Sequence, residues 1–226
     1  MTGTKMQAGN TVSHAHGLPE AQGLYQPSKE HDACGLGLVA NIKGEKSHQI
    51  VQDGLKVLLN LEHRGAVGAD PLAGDGAGIL VQIPHAFFKA EAERRGFKLP
   101  AAGAYGVGQL FMPQDERLRA RCEDVVAKVL AEEHIPLIGW RDVPVNNHGL
   151  PESVLSVEPC HRQLFVGRPE YIHDESRFER ALYVARRVIS NRIIAEANTK
   201  DFYPVSLSCR TVIYKGMFLS YQLGEY

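Results

Sequence analysis

The sequence has no apolar run near the roughly eighteen residues that a membrane-crossing helix requires, so a membrane partner is not expected. Its four cysteines, Cys34, Cys122, Cys160 and Cys209, form no CxxC pair. That excludes the usual zinc and thioredoxin spacings and leaves free thiols in a reducing compartment as the expectation. Neither sign of charge is in excess: 25 Lys and Arg stand against 26 Asp and Glu, for a net charge of -1. A phosphate backbone finds no basic counterpart here, so nucleic acid is not an expected partner. The N-terminal stretch lacks the apolar core of a secretory signal, which predicts a cytoplasmic location. Aromatic residues make up only 8%, with one Trp. Against those shortages, 226 residues that are 44% hydrophobic suffice for one globular domain, or a domain and a tail, without disulfide staples.

Residues 1–33 differ in kind from the rest. They are rich in Gly, His, Ser, Gln and Pro, and their few apolar residues set up no period. This predicts an extension that is unfolded or loosely attached. From Cys34 onward the run CGLGLVANI (34–42) predicts a buried strand. Ser47 opens a helix carrying Ile50, Val51, Leu55, Leu58, Leu59 and Leu61, which Gly65 and Gly68 end. Residues 77–83 predict a strand, 85–94 a short helix, and Tyr105 onward a third strand. Leu118, Cys122, Val125, Val126 and Val129 form one stripe of a helix over 115–133. Strands are predicted at 135–145 and 161–167. Ser176 and Glu179 suggest a capping box for a long helix reaching about Ala197, and 203–208 with 211–216 suggest a closing strand pair. Interleaved helices and grouped strands favour α+β layers over a doubly wound sheet.

Several constellations carry possible chemistry. AGDGAG (73–78) is followed by Ile79-Leu80, where a phosphate loop needs Lys and Ser/Thr, and by a strand, where a dinucleotide fingerprint needs a helix. It reads as a tight structural turn. Ten histidines include His14 and His16 in the tail and His63 at a helix end, none in metal-ligand spacing, so no metal is expected. Cys160 and His161 are neighbours on one strand and so point to opposite faces. Cys34 has two readings. It can be a small core hydrophobe opening a strand. It can also become the first residue if the chain is cut between Ala33 and Cys34, where tail meets domain. A new α-amino group, with a pKa of about 7.7–8, would then serve the thiol as base.

The segments DACGLGLVANIKG (32–44), LEHRGAVGADPLAGDGAGILVQIP (61–84), GWRDVPV (139–145) and LSCRTVIYKGMFLSYQLGEY (207–226) resemble the start of the glutamate synthase large chain. That start is a class II glutamine amidotransferase domain of the N-terminal nucleophile hydrolase fold. The resemblance implies a four-layer αββα sandwich over 34–226 and a propeptide, 1–33, removed at Ala33-Cys34. It implies Cys34 as the nucleophile that attacks the side-chain amide of glutamine through a thioester. Arg64 matches the arginine of the family's HRG motif, which helps organise the nucleophile; read by itself it could equally form a helix-end salt bridge. Gly65 would let the backbone approach closely. The family's HNGE segment, with its oxyanion-hole Asn-Gly, and its RFSTN segment are not present. Asn146-Asn147-His148-Gly149 lies too early to replace them, so an N-terminal portion of a longer enzyme is implied. No cofactor is expected in this chain. FMN and an iron–sulfur cluster are implied for the full-length enzyme, with 2-oxoglutarate as ammonia acceptor and an electron-donating small subunit as a further candidate partner. Other class II amidotransferases, an inactive fragment and a glutamine-binding module are the competing readings.

Overall fold

The computed structural model describes residues 21–23, 26, 35–65 and 70–226. The chain divides into Met1–Cys34 and Gly35–Tyr226, and the account below concerns the second unit. Its centre is an antiparallel four-stranded sheet. Strands β2 (Tyr105–Met112), β3 (Leu137–Asp142), β4 (Cys160–Gly167) and β5 (Tyr203–Ser208) stand in the order β3-β4-β2-β5. A second antiparallel sheet joins β1 (Ala77–Gln82) to β6 (Thr211–Gly216), with Val81 opposite Val212.

One face of the large sheet is covered by α3 (Glu116–Glu132) and α5 (Glu175–Arg192). The stripe Cys122, Val125, Val126 and Val129 of α3 and the stripe Phe178, Leu182, Ala185 and Ile189 of α5 bury against Leu110, Met112, Leu164 and Val166. These positions recur at three- and four-residue steps on the helices and at two-residue steps on the strands, as the two geometries require. The other face meets the small sheet and α2 (His85–Arg94) in a second cluster of Phe88, Tyr105, Val107, Phe165 and Val212. Phe88 and Phe165 meet edge to face with centroids 5.3 Å apart. Burying each such ring contributes about 1.5–3 kcal/mol. Helix α1 (His48–Asn60) packs on β1, where Gly54 lies against Ile79. Two antiparallel sheets flanked by helices agree with the expected αββα sandwich. No helix of the described residues is long and apolar enough to cross a membrane.

A buried polar chain runs between the layers. The Gln163 Oε1 accepts from Arg141 Nη1 (2.9 Å), and its Nε2 donates to Gln109 Oε1 (3.0 Å) and Tyr214 Oη (2.9 Å). Arg141 Nε in turn donates to Glu91 on α2 at 2.9 Å. The guanidiniums of Arg141 and Arg95 hold the Glu91 carboxyl below its usual range, against the opposing effect of burial.

Three local expectations are corrected. Residues 35–40 are in no strand, and Leu36, Leu38 and Ile42 are 94%, 89% and 100% exposed. An apolar run signals burial only where a neighbouring edge accepts its backbone bonds, and among the described residues none does. Helix α5 is capped by Asp174, whose carboxylate accepts from Arg177 N at 2.8 Å. Ser176 lies inside the helix, and Glu179 instead accepts from Ser208 Oγ and Cys209 N. Finally, β5 and β6 do not pair with each other. The two-residue turn Cys209-Arg210 carries the chain from one sheet into the other.

Candidate active site

Cys34 and Ala33 lie outside the described residues, so the site is built from what adjoins them. Gly35, bonded to Cys34, rests on the end of α1: a Cβ there would lie 3.1 Å from Leu61 Cβ and 3.2 Å from Arg64 Cβ. Two residues on, a Cβ at Gly37 would fall 2.0 Å from Val57 Cγ1, so any larger residue there would have to displace the Val57 side chain or the segment itself. Helix α1 begins at its Ser47 cap and ends before Gly65, running into a short 3-10 turn, Glu62–Arg64. Arg64 is exposed and its amide donates to Leu61 O at 2.8 Å. The structure thus brings Gly35 and Arg64 together although they are far apart in sequence.

Gly65 has an ordinary φ of -84°, so its backbone does not itself demand glycine. A Cβ there would stand 3.7 Å from Asp75 Oδ1, which places the HRG turn beside the AGDGAG turn. In that turn Gly74 is the constrained position, since its Cβ would come 2.2 Å from Phe218 O. Gly76 has φ +134°, a value L side chains rarely adopt.

Beyond the two turns opens a cavity of about 1050 Å³, lined among others by Leu36, Asp75, Phe111, His161, Tyr203 and Tyr226. Its far wall is polar. The Tyr226 hydroxyl donates to Glu158 Oε1, and its oxygen lies 3.1 Å from His161 Nε2. Because the phenol hydrogen is committed to the carboxylate, His161 Nε2 is the donor to the phenol oxygen. Burial pushes the Tyr226 phenol up, and the Glu158 carboxylate adds to this. Burial holds the His161 imidazole below its usual value, with Glu158 opposing.

Cys160 and His161 do face opposite ways, Cys160 toward the helix-covered core and His161 into the cavity; both are half-buried. Asn146 is occupied with its own chain: its amide donates to Tyr226 O at 2.7 Å and its Nδ2 to Glu225 O at 3.2 Å. Asn147 Nδ2 donates to Glu158 Oε2. Reading the sequence alone missed Asp75, His161 and Tyr226 as neighbours of one cavity. The pairing of β1 with β6 carries the segment that ends in Tyr226 toward Asp75, while His161 comes from β4 of the large sheet, and no local pattern announces either. Among the described residues no group of His, Cys, Asp and Glu gathers as a metal site.

A pair of antiparallel sheets flanked by helices, with an arginine turn packed against the segment that follows Cys34, is consistent with the N-terminal nucleophile hydrolase class. Residues 34–226 match the family Glutamine amidotransferases class-II, and the chain belongs to that family. It is 44% identical over 209 residues to the glutamate synthase [NADPH] large chain of Bacillus subtilis, covering 92% of this chain and 14% of that one. It is 38% identical over 225 residues to the glutamate synthase [NADH] of Saccharomyces cerevisiae, covering 95% and 10%. It is 37% identical over 198 residues to the ferredoxin-dependent glutamate synthase 2 of Synechocystis, covering 88% and 12%. The chain thus spans between 10% and 14% of the length of these relatives.

Proposed function

We propose that residues 34–226 are the glutaminase portion of a glutamate synthase, and that 1–33 is a propeptide cleaved between Ala33 and Cys34. The freed α-amino group of Cys34 takes the proton of its own thiol. The thiolate then adds to the side-chain carbonyl of glutamine. Collapse of the adduct expels ammonia, with the proton returned to the leaving nitrogen, and leaves a γ-glutamyl thioester on Cys34. Water, deprotonated by the same amine, hydrolyses the thioester to glutamate and restores the thiol. Arg64 favours the thiolate by its positive charge. Gly65 keeps the turn that carries Arg64 slim.

The observation that carries this reading is the packing of Gly35, the residue bonded to Cys34, directly on Arg64. The family match, which begins at residue 34, supports the same assignment. The amidotransferase domain needs no cofactor, and no step here runs through FMN or a cluster. Glutamine is the proposed substrate, and the rest of a synthase, holding 2-oxoglutarate, is the proposed recipient of the ammonia. An electron-donating small subunit is a further proposed partner of that longer enzyme, and the cytoplasm its compartment.

The test uses the full-length polypeptide carrying this chain. N-terminal sequencing of active protein is expected to read Cys34 first. Cys34→Ser is expected to abolish glutamine-dependent synthesis and to leave synthesis from added ammonia intact, since ammonia from solution bypasses the thioester. A fully active preparation that retains Met1, or equal loss of both activities, would overturn the reading.

A further inference from the structure

Gln222 has a position that the proposed mechanism does not use. It opens the short helix α6 (Gln222–Glu225), is 4% exposed, and has both ends of its amide engaged. Oε1 accepts from Leu219 N at 2.7 Å, and Nε2 donates to Leu72 O at 3.1 Å, across 150 positions of chain. The orientation of the amide is fixed by its partners, since Leu219 N can only donate and Leu72 O can only accept. Leu72 belongs to the loop that runs from Asp70 to Gly76. Asp70 Oδ1 accepts from Leu72 N at 3.0 Å, and Asp70 Oδ2 accepts from Ser153 Oγ at 3.1 Å. Gly74 of the same loop is pressed on the Phe218 backbone, and Asp75 ends beside Gly65.

The loop therefore touches the Arg64-Gly65 turn at one end and is braced by residues 218–222 along its length. We propose that Gln222 is a positioning residue of the glutaminase site: its bond to Leu72 O fixes the 70–76 loop, and through Asp75 and Gly65 the turn that carries Arg64. The inference rests on the glutaminase reading above. It adds to that reading a remote side chain that sets the geometry of the site without touching the substrate.

Gln222→Glu tests it in the full-length polypeptide. A protonated glutamic acid still donates to Leu72 O, whereas a carboxylate facing that carbonyl cannot. A carboxyl buried at this place and facing a carbonyl oxygen has its pKa raised above the usual value of about 4.3. The bond is thus made at low pH and lost as pH rises through the raised pKa. The expected result is a ratio of variant to wild-type glutamine-dependent kcat/KM that falls about tenfold between acid and alkaline buffer, the size of one hydrogen bond to a site. Ammonia-dependent synthesis is expected to show no such change. A ratio that is flat with pH, or an ammonia-dependent activity that falls in parallel, would overturn the proposal.

If Gln222→Glu fails to fold, Gln222→Met removes both bonds without adding charge. It is expected to alter glutamine kinetics at every pH and to spare ammonia-dependent turnover; unchanged glutamine kinetics would overturn the proposal. Cys34→Ser, run in parallel, separates the two claims. If it spares glutamine-dependent activity, the glutaminase reading fails. If it abolishes that activity while both Gln222 variants match wild type, only the positioning claim fails.

Discussion

Replacing Gln163 by Leu changes shape little and strips the polar chain between the layers of its central member. Gln163 is fully buried, and its loss leaves Arg141 Nη1, Gln109 Oε1 and the Tyr214 hydroxyl without their partner. A buried polar group left unsatisfied costs about 1–3 kcal/mol. Arg141 keeps its bond to Glu91, so three groups toward the lower part of that range give about 3–5 kcal/mol. For a domain of this size that lowers Tm by roughly 6–20 °C. Urea unfolding followed through Trp140, the single tryptophan, reads the change as a lower midpoint at constant slope. Gln109→Leu alone is expected to cost about 1–3 kcal/mol, and the double variant less than the sum by about 1 kcal/mol, because the two changes remove one shared bond. A titration supplies an independent reading. Burial raises the Tyr214 phenol and the Gln163 bond lowers it, so Gln163→Leu is expected to raise it further. A loss under about 1 kcal/mol, or strict additivity with Gln109→Leu, would refute the claim that these side chains form one buried, coupled network.

Gly74→Ala is expected to cost about 3 kcal/mol or more, since its Cβ would meet the Phe218 backbone at 2.2 Å; Gly224→Ala, 3.8 Å from Leu55 Cδ1, is expected to be near neutral in the same melting series. His161 has its pKa depressed by burial, so between that value and the unfolded value of about 6.5 the unfolded chain binds more protons and stability falls as pH falls. His161→Gln is expected to flatten that slope in urea midpoints taken from about pH 5 to 7; an unchanged slope assigns it elsewhere. Burial and then Glu179 push the Cys209 thiol up to about 12, and burial raises Cys122. In a Cys34→Ser background, a thiol reagent near pH 8 is expected to label half-buried Cys160 first and to reach Cys122 and Cys209 only on unfolding; fast labelling of Cys209 would contradict its burial.

What the sequence discloses here depends on how far an element's partners lie. Helices α2, α3 and α5 stand where periodicity places them, because a stripe such as Phe178, Leu182, Ala185 and Ile189 is complete within one segment. The run from Gly35 to Ile42 misleads because its apolar content speaks of burial but names no edge to pair with. Ser176 and Glu179 satisfy the spacing of a capping box, yet Asp174 is two residues earlier and Glu179 is drawn to the Ser208-Cys209 corner. Gln109, Gln163 and Arg141 look like solvent-facing strand positions; they are buried because a second sheet and α2 cover that face. At the proposed site, the boundary between tail and domain already singles out Cys34 in the sequence, whereas a role for Arg64 comes only from motif resemblance. The Gln222 brace spans 150 positions and has no local signature at all.

The pairing of β1 with β6 also sets a timetable for synthesis. Ala77–Gln82 leave the ribosome about 130 residues before Thr211–Gly216, their only strand partner among the described residues. At about 5–20 residues per second, that is a wait of roughly 6–26 s. The large sheet waits less evenly: β2, β3 and β4 have all emerged by Gly167, so three of its four strands can pair while β1 still has no edge. Throughout that interval the apolar residues Ile79, Leu80 and Val81 lack the strand partner they have in the folded domain. The ribosome-bound chain must therefore keep this segment from pairing with its neighbours on the polysome until residue 216 is made.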